Sequence, residues 1–165
     1  MNKTRKKIEQ IAYSSLIAAL YVALSWLSNI LGLASYAVQV RFSEALCILP
    51  FFTPHAVPGL FIGCLISNLT MGAHPIDIAF GSLATLVGAY IAGKIKSKYL
   101  VAIPTVVANA IVVPLVVLFC YTSGVKSLGA YIAILVSVTI GEVVSAYVLG
   151  TLLLIAIDKR KIFKK

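Results

Sequence analysis

Three carboxylic acids lie within or at the edge of long apolar stretches of this sequence. They are Glu44, Asp77 and Glu142, and the whole chain has only five acidic residues. An ionised carboxylate is costly to place in hydrocarbon, so an acid at membrane depth indicates a functional site. The chemistry open to such a group is proton or ion transfer, or the binding of a ligand that carries a cation or N–H donors.

The polar residues nearest these acids each have a structural and a functional interpretation. Glu142 is interpreted as a proton or ion relay, as a ligand anchor, or as a protonated acid bonded to another helix. Arg41 and Glu44 are three residues apart and so either pair on one helix face or contact a ligand. Asn109 is typical of a hydrogen bond between helices, and a ligand contact is the alternative.

The composition is that of an integral membrane protein. Hydrophobic residues make up 61% of the chain and charged residues 12%, and the mean hydropathy is +1.02. Soluble domains carry about 25% charged residues. A spanning helix needs ~20 residues, so residues 1–165 are expected to form a single, all-α domain of six transmembrane helices. That leaves no room for a soluble catalytic or nucleotide-binding module.

The apolar stretches predict six transmembrane helices, although the second is less clear because it contains several polar residues. Pro50, Pro54 and Pro58 prevent that helix from continuing into the third, because proline breaks a helix interior. The predicted spans are 11–31, 37–52, 56–69, 76–93, 100–121 and 129–157.

The basic residues favour six spans with both termini in the cytoplasm. In that topology the inner side carries 12 basic residues, and the outer side carries only Arg41 and Lys126. This follows the positive-inside rule, which merging residues 37–69 into one span would violate. The net charge of +9 is therefore attributed to basic clusters that flank the membrane spans and not to a nucleic-acid surface. The expected location of the protein is the plasma membrane.

With this topology most polar residues face a pocket that opens outward, with Asn109 and Glu142 near the middle of the membrane. Polar groups are tolerated at that depth where they line a cavity. Neither a metal-ligand cluster nor a catalytic constellation is predicted, because His55 and His74 fall on opposite sides and no serine has a suitable partner. The candidate ligand-binding residues are Glu44, Glu142, Asp77, Asn109, Arg41, Gln39, Asn68, His74, Tyr36, Tyr121 and Tyr131.

Small residues recur every four positions in three of the predicted spans. In spans three and four, where Gly59 and Gly63 belong to such a ridge, close packing inside the bundle is expected. Span one has a separate ridge of Ser15, Ala19 and Ala23. This ridge has two interpretations: it packs inside the bundle, or it forms a surface that faces a partner protein.

Five stretches of the sequence resemble the QueT-type queuosine-precursor transporter family. They are VQVRFSEAL at 38–46, LPFFTP at 49–54, PGLFIGC at 58–64, DIAFGSLATL at 77–86, and the pair Gly141-Glu142. The resemblance implies the substrate-binding S component of an energy-coupling factor transporter, a six-helix protein that captures a vitamin-like solute from outside. It implies as partners a transmembrane T component and two cytoplasmic ATPases, which use ATP, while this chain binds no cofactor. Ala19 and Ala23 match the small-residue motif by which S components dock.

The ligand implied by the resemblance is a 7-deazaguanine base: the aminomethyl form, the cyano form or queuine. A carboxylate accepts the adjacent N–H groups of a guanine-like edge, and an amide side chain serves the ring carbonyl. The alternative function is a stand-alone, proton-coupled secondary transporter of a small polar or cationic solute, with Glu142 or Asp77 carrying the proton. The internal repeats usual in such transporters are not evident in the sequence.

Overall fold

The computed structural model describes residues 3–33, 39–123 and 126–160, and these ranges contain helices and no β-strand. In chain order the elements are α1 (Lys3–Ile30), a 3-10 helix (Phe42–Phe51), α2 (Ala56–Thr70), α3 (Pro75–Ala92), α4 (Ile103–Cys120), α5 (Leu128–Glu142), a π-helical segment (Val143–Leu149) and α6 (Gly150–Lys159). The last three form one continuous helical run.

Among residues 3–33, 39–123 and 126–160, four helical stretches are long and apolar enough to cross a membrane. They are α1, α3, α4 and the continuous run Leu128–Lys159, while the 3-10 helix and α2 are shorter. The predicted all-α, multi-pass membrane protein is therefore confirmed at this level. Helix α2 begins at the predicted residue and ends one residue later than predicted. Helix α3 begins and ends one residue earlier than predicted.

The second predicted span differs from the structure in helix type and in the residue at which the helix begins. A helix over 37–52 was expected, but the described part is a 3-10 helix that begins at Phe42 and includes Pro50. Ten residues at about 2.0 Å each cover about 20 Å, less than the ~30 Å of hydrocarbon. All eight residues from Ser43 to Pro50 are buried. This helix is therefore the centre of the bundle and not a lipid-facing span.

Helices α1 and α2 run parallel and pack closely through glycine. A Cβ added to Gly59 would lie 2.6 Å from the Ser14 carbonyl oxygen, and one added to Gly63 would also meet α1. Further along both helices, the Trp26 indole N–H donates to the Thr70 hydroxyl at 3.2 Å. The predicted internal packing of this glycine ridge is confirmed, since any side chain here would force the helices apart.

Contacts at the two ends of the bundle show that the remaining helices alternate in direction. At one end the Tyr121 hydroxyl, just after α4, donates to Asp77 in the first turn of α3 at 2.9 Å. At the other end Lys98, in the segment between α3 and α4, lies 2.5 Å from Asp158 near the end of α6. We call the Tyr121 end the mouth end and the Lys98 end the basic end.

Candidate ligand-binding site

A cavity of about 400 Å³ opens at the mouth end of the bundle. Its volume is within the range of ~300–1,000 Å³ usual for small-molecule sites. It lies between the 3-10 helix, α2, α3, α4 and α5. It is lined by Asn29, Gln39, Arg41, Glu44, Cys64, Met71, Gly72, Ala73, Asp77, Gly81, Thr85, Asn109, Val113, Val117, Tyr121, Val138 and Glu142.

The cavity brings together most of the polar residues that the sequence singled out. Asn68 and His74 do not line it but bond to residues that do, Tyr131 of α5 does not line it, and Tyr36 lies outside the described residues. The predicted residues that line the cavity are Gln39, Arg41, Glu44, Asp77, Asn109, Tyr121 and Glu142.

Glu142 presents an unsatisfied acceptor to this cavity. Its Oε2 atom is buried and has no hydrogen-bond partner among the described residues. Its electrostatic neighbours include Glu44, Asn109 and Arg41. Glu142 is the last residue of α5, and the π-helical segment follows it directly. Such π segments occur often at functional sites, and a buried acceptor without a partner costs about 1–3 kcal/mol or more until donors reach it.

The backbone of residues 39–41 lies directly against the helical run that carries Glu142. A Cβ on Gly141 would clash with the Gln39 carbonyl oxygen, so this approach requires glycine. The Arg41 backbone N–H donates to the Ser145 hydroxyl at 3.0 Å. These contacts hold Gln39 and Arg41 at the cavity beside Glu142. The Gly141-Glu142 pair was notable in the sequence, but its contact with residues 39–41 had no sequence signal.

Arg41 is bonded to Asn68 and not to Glu44. Its Nη2 donates to the Asn68 side-chain oxygen at 3.1 Å. Within the described ranges the one ion pair closer than 4.0 Å is Lys98–Asp158. The alternative in which Arg41 and Glu44 pair on one helix face is therefore wrong. Arg41 precedes the 3-10 helix in an extended conformation, with φ −112° and ψ 110°, so the two residues do not share a helix face.

Glu44 differs from Glu142 because both of its carboxylate oxygens have protein donors. The Tyr21 hydroxyl of α1 donates to Oε1, and the Cys47 thiol donates to Oε2 at 3.3 Å. Glu44 is 1% exposed and Tyr21 is 0% exposed. Tyr21 was not among the predicted site residues, because a tyrosine in an apolar helix gives no indication of a partner 23 residues away.

Three of the predicted residues meet at the mouth of the cavity. The Tyr121 hydroxyl donates to Asp77 Oδ2 and accepts the backbone N–H of His74 at 2.8 Å. The His74 ring accepts the Ile76 N–H at 3.3 Å and so caps the start of α3. The contacts described for His74 are therefore to the mouth and the helix end, while Asp77 and Tyr121 line the cavity.

A second concave surface lies on the outside of the bundle, between α1 and α2. It is an apolar groove of about 750 Å³, whose lining includes Ser15, Ala19, Ala23, Ile62 and Ile66. The first three residues are exposed along α1. Internal packing of the α1 ridge, one of its two interpretations, is therefore wrong, because none of the described residues covers the ridge.

The sequence of this chain matches a known protein family. The sequence profile described as "QueT transporter" matches residues 11–159. The queuosine precursor transporter QueT of Lactococcus lactis subsp. cremoris (strain MG1363) is 30% identical over 99 residues. That alignment covers 58% of this chain and 58% of the Lactococcus protein, so the chain spans little more than half the length of this relative. No solved structure matches the chain.

Proposed function

Because this chain belongs to the QueT transporter family, we propose that it is the substrate-binding S component of an energy-coupling factor transporter. In this role it captures a queuosine precursor outside the cell for ATP-driven uptake by partner subunits. The family is one of transporters, which supports the prediction that the chain is not an enzyme. Its apolar helices agree with a multi-pass protein of the plasma membrane.

The observation that carries this proposal is the unpaired Oε2 of Glu142 in a cavity of about 400 Å³. A 7-deazaguanine base presents adjacent N–H donors that one carboxylate accepts in parallel. The amide groups of Asn109 and Gln39 line the same cavity and suit the ring carbonyl. The aminomethyl form adds a cation, and the acids of the cavity outnumber its one arginine. The aminomethyl form, the cyano form and queuine all remain candidates.

The proposed topology has six membrane crossings and cytoplasmic termini. It is supported by the alternating direction of the helices, with the mouth of the cavity at one end of the bundle and Lys98 and Asp158 at the other. The 3-10 helix and α2 each form one of the six crossings. Each does so only together with its flanking residues, because each helix alone is shorter than the hydrocarbon layer. The mouth of the cavity then faces outside.

The proposed partners are a transmembrane T component and two cytoplasmic ATPases, which would supply the energy coupling. The exposed groove between α1 and α2 supports a docking role, because Ser15, Ala19 and Ala23 let another helix approach closely. The apolar lining of Ile62 and Ile66 suits a partner helix within the membrane. The deazaguanine ligand would occupy a different site, in the cavity at the mouth end.

Calorimetric titration of the purified protein with the three bases tests the proposed ligand. Glu142→Gln is expected to weaken binding by ~2–5 kcal/mol, as losing one half of a buried charged contact does. Glu9→Gln is the matched control, because Glu9 is exposed on α1 and lies outside the cavity. The Glu142→Gln variant should be as stable as the unmodified protein or slightly more stable, because a buried acid no longer has to be desolvated. Unchanged binding in that variant would contradict the role of Glu142.

Substitution in the groove tests the proposed partners. Ala19→Leu should prevent assembly with the T component and abolish uptake while leaving ligand affinity nearly intact. Ala12→Leu is the control, because Ala12 is exposed on α1 but does not line the groove. Co-purification and uptake in proteoliposomes are the measurements. Uptake by this chain alone, driven by a proton gradient, would instead establish the secondary-transporter alternative.

A further inference from the structure

A small cavity of about 180 Å³ lies at the basic end of the bundle, away from the ligand site. One wall is a single face of α6, which includes Thr151, Leu154, Ile155 and Lys159. These positions follow helical spacing and so lie above one another along the helix. The other wall is the segment after α3, which contributes Lys98.

The polarity of this cavity changes along α6. Leu154, 2% exposed, and Ile155, 40% exposed, make its side apolar. One turn further toward the end of the helix, Lys159 reaches the rim together with Lys98 of the opposite wall. An apolar wall below a charged rim matches a phospholipid, whose acyl chains are apolar and whose headgroup lies at the membrane surface.

The charges at the rim favour an anion. Lys98 is paired with Asp158 at 2.5 Å, with both side chains about half exposed. Lys159 has no ion pair closer than 4.0 Å within the described ranges. The rim therefore holds two lysines and one acid. The Tyr99 side chain, 67% exposed, lines the same cavity and offers a further hydroxyl donor.

We propose that this cavity binds the headgroup of an anionic phospholipid of the adjacent leaflet. The phosphate lies between Lys98 and Lys159, and an acyl chain lies along Ile155. Basic pockets between transmembrane helices are known to bind anionic headgroups in this way. The site is independent of the deazaguanine ligand and of the docking groove, since it shares no residue with either.

Native mass spectrometry of the purified protein tests the site, with phosphatidylglycerol and phosphatidylcholine added at equal concentration in neutral detergent. The protein is expected to retain phosphatidylglycerol preferentially, at one molecule per chain. The double variant Lys98→Gln/Lys159→Gln should lower this retention about tenfold or more, given the contribution expected of each lysine. The matched control is Lys94→Gln/Lys96→Gln, which removes two charges from the same segment outside the cavity.

A second variant keeps the test valid if the double variant is unstable. Asp158→Asn releases Lys98 from its ion pair, so it should increase retention of phosphatidylglycerol. Loss of retention in the cavity variant with retention preserved in the control supports the site. Equal loss in both double variants means that charge alone attracts the lipid, and this overturns the proposal. Equal retention of the two lipids by the unmodified protein also overturns it.

Discussion

Glu44 and Glu142 carry the same functional group into one cavity, but their surroundings differ. Both oxygens of Glu44 accept hydrogen bonds from Tyr21 and Cys47. Oε2 of Glu142 has no partner in the described structure. A carboxylate that is already satisfied gains less from a ligand than one that is not. We therefore expect Glu44 to stabilise the contact between α1 and the 3-10 helix, and Glu142 to be the principal ligand contact.

Tyr21→Phe tests this assignment through stability. The substitution keeps the ring but removes the buried hydroxyl that donates to Glu44, so it should cost about 1–3 kcal/mol of stability. Thermal unfolding in detergent is the measurement. Tyr131→Phe is the control, because Tyr131 is partly exposed and lies outside the cavity.

A double-mutant cycle separates the contact from general damage to the core. Tyr21→Phe and Glu44→Leu together should destabilise the protein by less than the sum of the single changes, because each change removes the same hydrogen bond, from the Tyr21 hydroxyl to Glu44. Additive losses would contradict the assignment. So would a Tyr21→Phe variant that unfolds at the temperature of the unmodified protein.

The charged members of the site were predictable from sequence, while their partners were not. Arg41 and Asp77 stand out because charges are rare and costly in apolar segments. Tyr21 and Cys47 do not stand out, because each is ordinary within an apolar helix. Their contribution depends on which helices are neighbours, and this sequence alone offers no measure of the distance between helices.

At the scale of elements, hydropathy predicted where most helices lie but not their hydrogen-bond pattern. The predicted span 129–157 falls within the continuous run Leu128–Lys159, yet its π-helical segment had no sequence signal. The 3-10 helix was also missed as such. Over ten buried residues, an α-helix and a 3-10 helix require the same apolar composition, so periodicity does not distinguish them.

The contact between Gly141 of α5 and Gln39 links the packing of this helix to the candidate ligand site, because Gln39 lines the cavity. Gly141→Ala introduces a Cβ that would clash with the Gln39 carbonyl oxygen, so the backbone of residues 39–41 must move. Overpacking of this kind costs about 1–3 kcal/mol. We expect lower stability and at least about tenfold weaker ligand binding, since ~1.4 kcal/mol is a factor of ten. Calorimetry and thermal unfolding measure the two effects.

Gly129→Ala is the matched control for that change, because Gly129 lies on the same helix and its added Cβ would come no closer than 3.8 Å to its nearest neighbour, Ser127. This control should bind ligand normally. If Gly141→Ala binds as well as Gly129→Ala, the packing of residues 39–41 does not position the site.

At the scale of the whole molecule, charge and helix direction favour the same orientation. Lys94, Lys96 and Lys98 lie at the same end of the bundle as Lys159. The opposite end holds the mouth of the cavity, where Asp77 lies. Because basic residues remain in the cytoplasm, the mouth is expected to face outside.

Site-directed labelling in intact cells tests this orientation. Cys47 and Cys64 are 0% and 1% exposed, so only Cys120 has to be replaced to remove the accessible background. In that background a membrane-impermeant maleimide should label the Lys126→Cys variant and not the Lys96→Cys variant. A permeant maleimide should label both, which confirms that each position is reactive. Labelling of the Lys96→Cys variant from outside would overturn the orientation, because it would place the basic segment between α3 and α4 outside the cell.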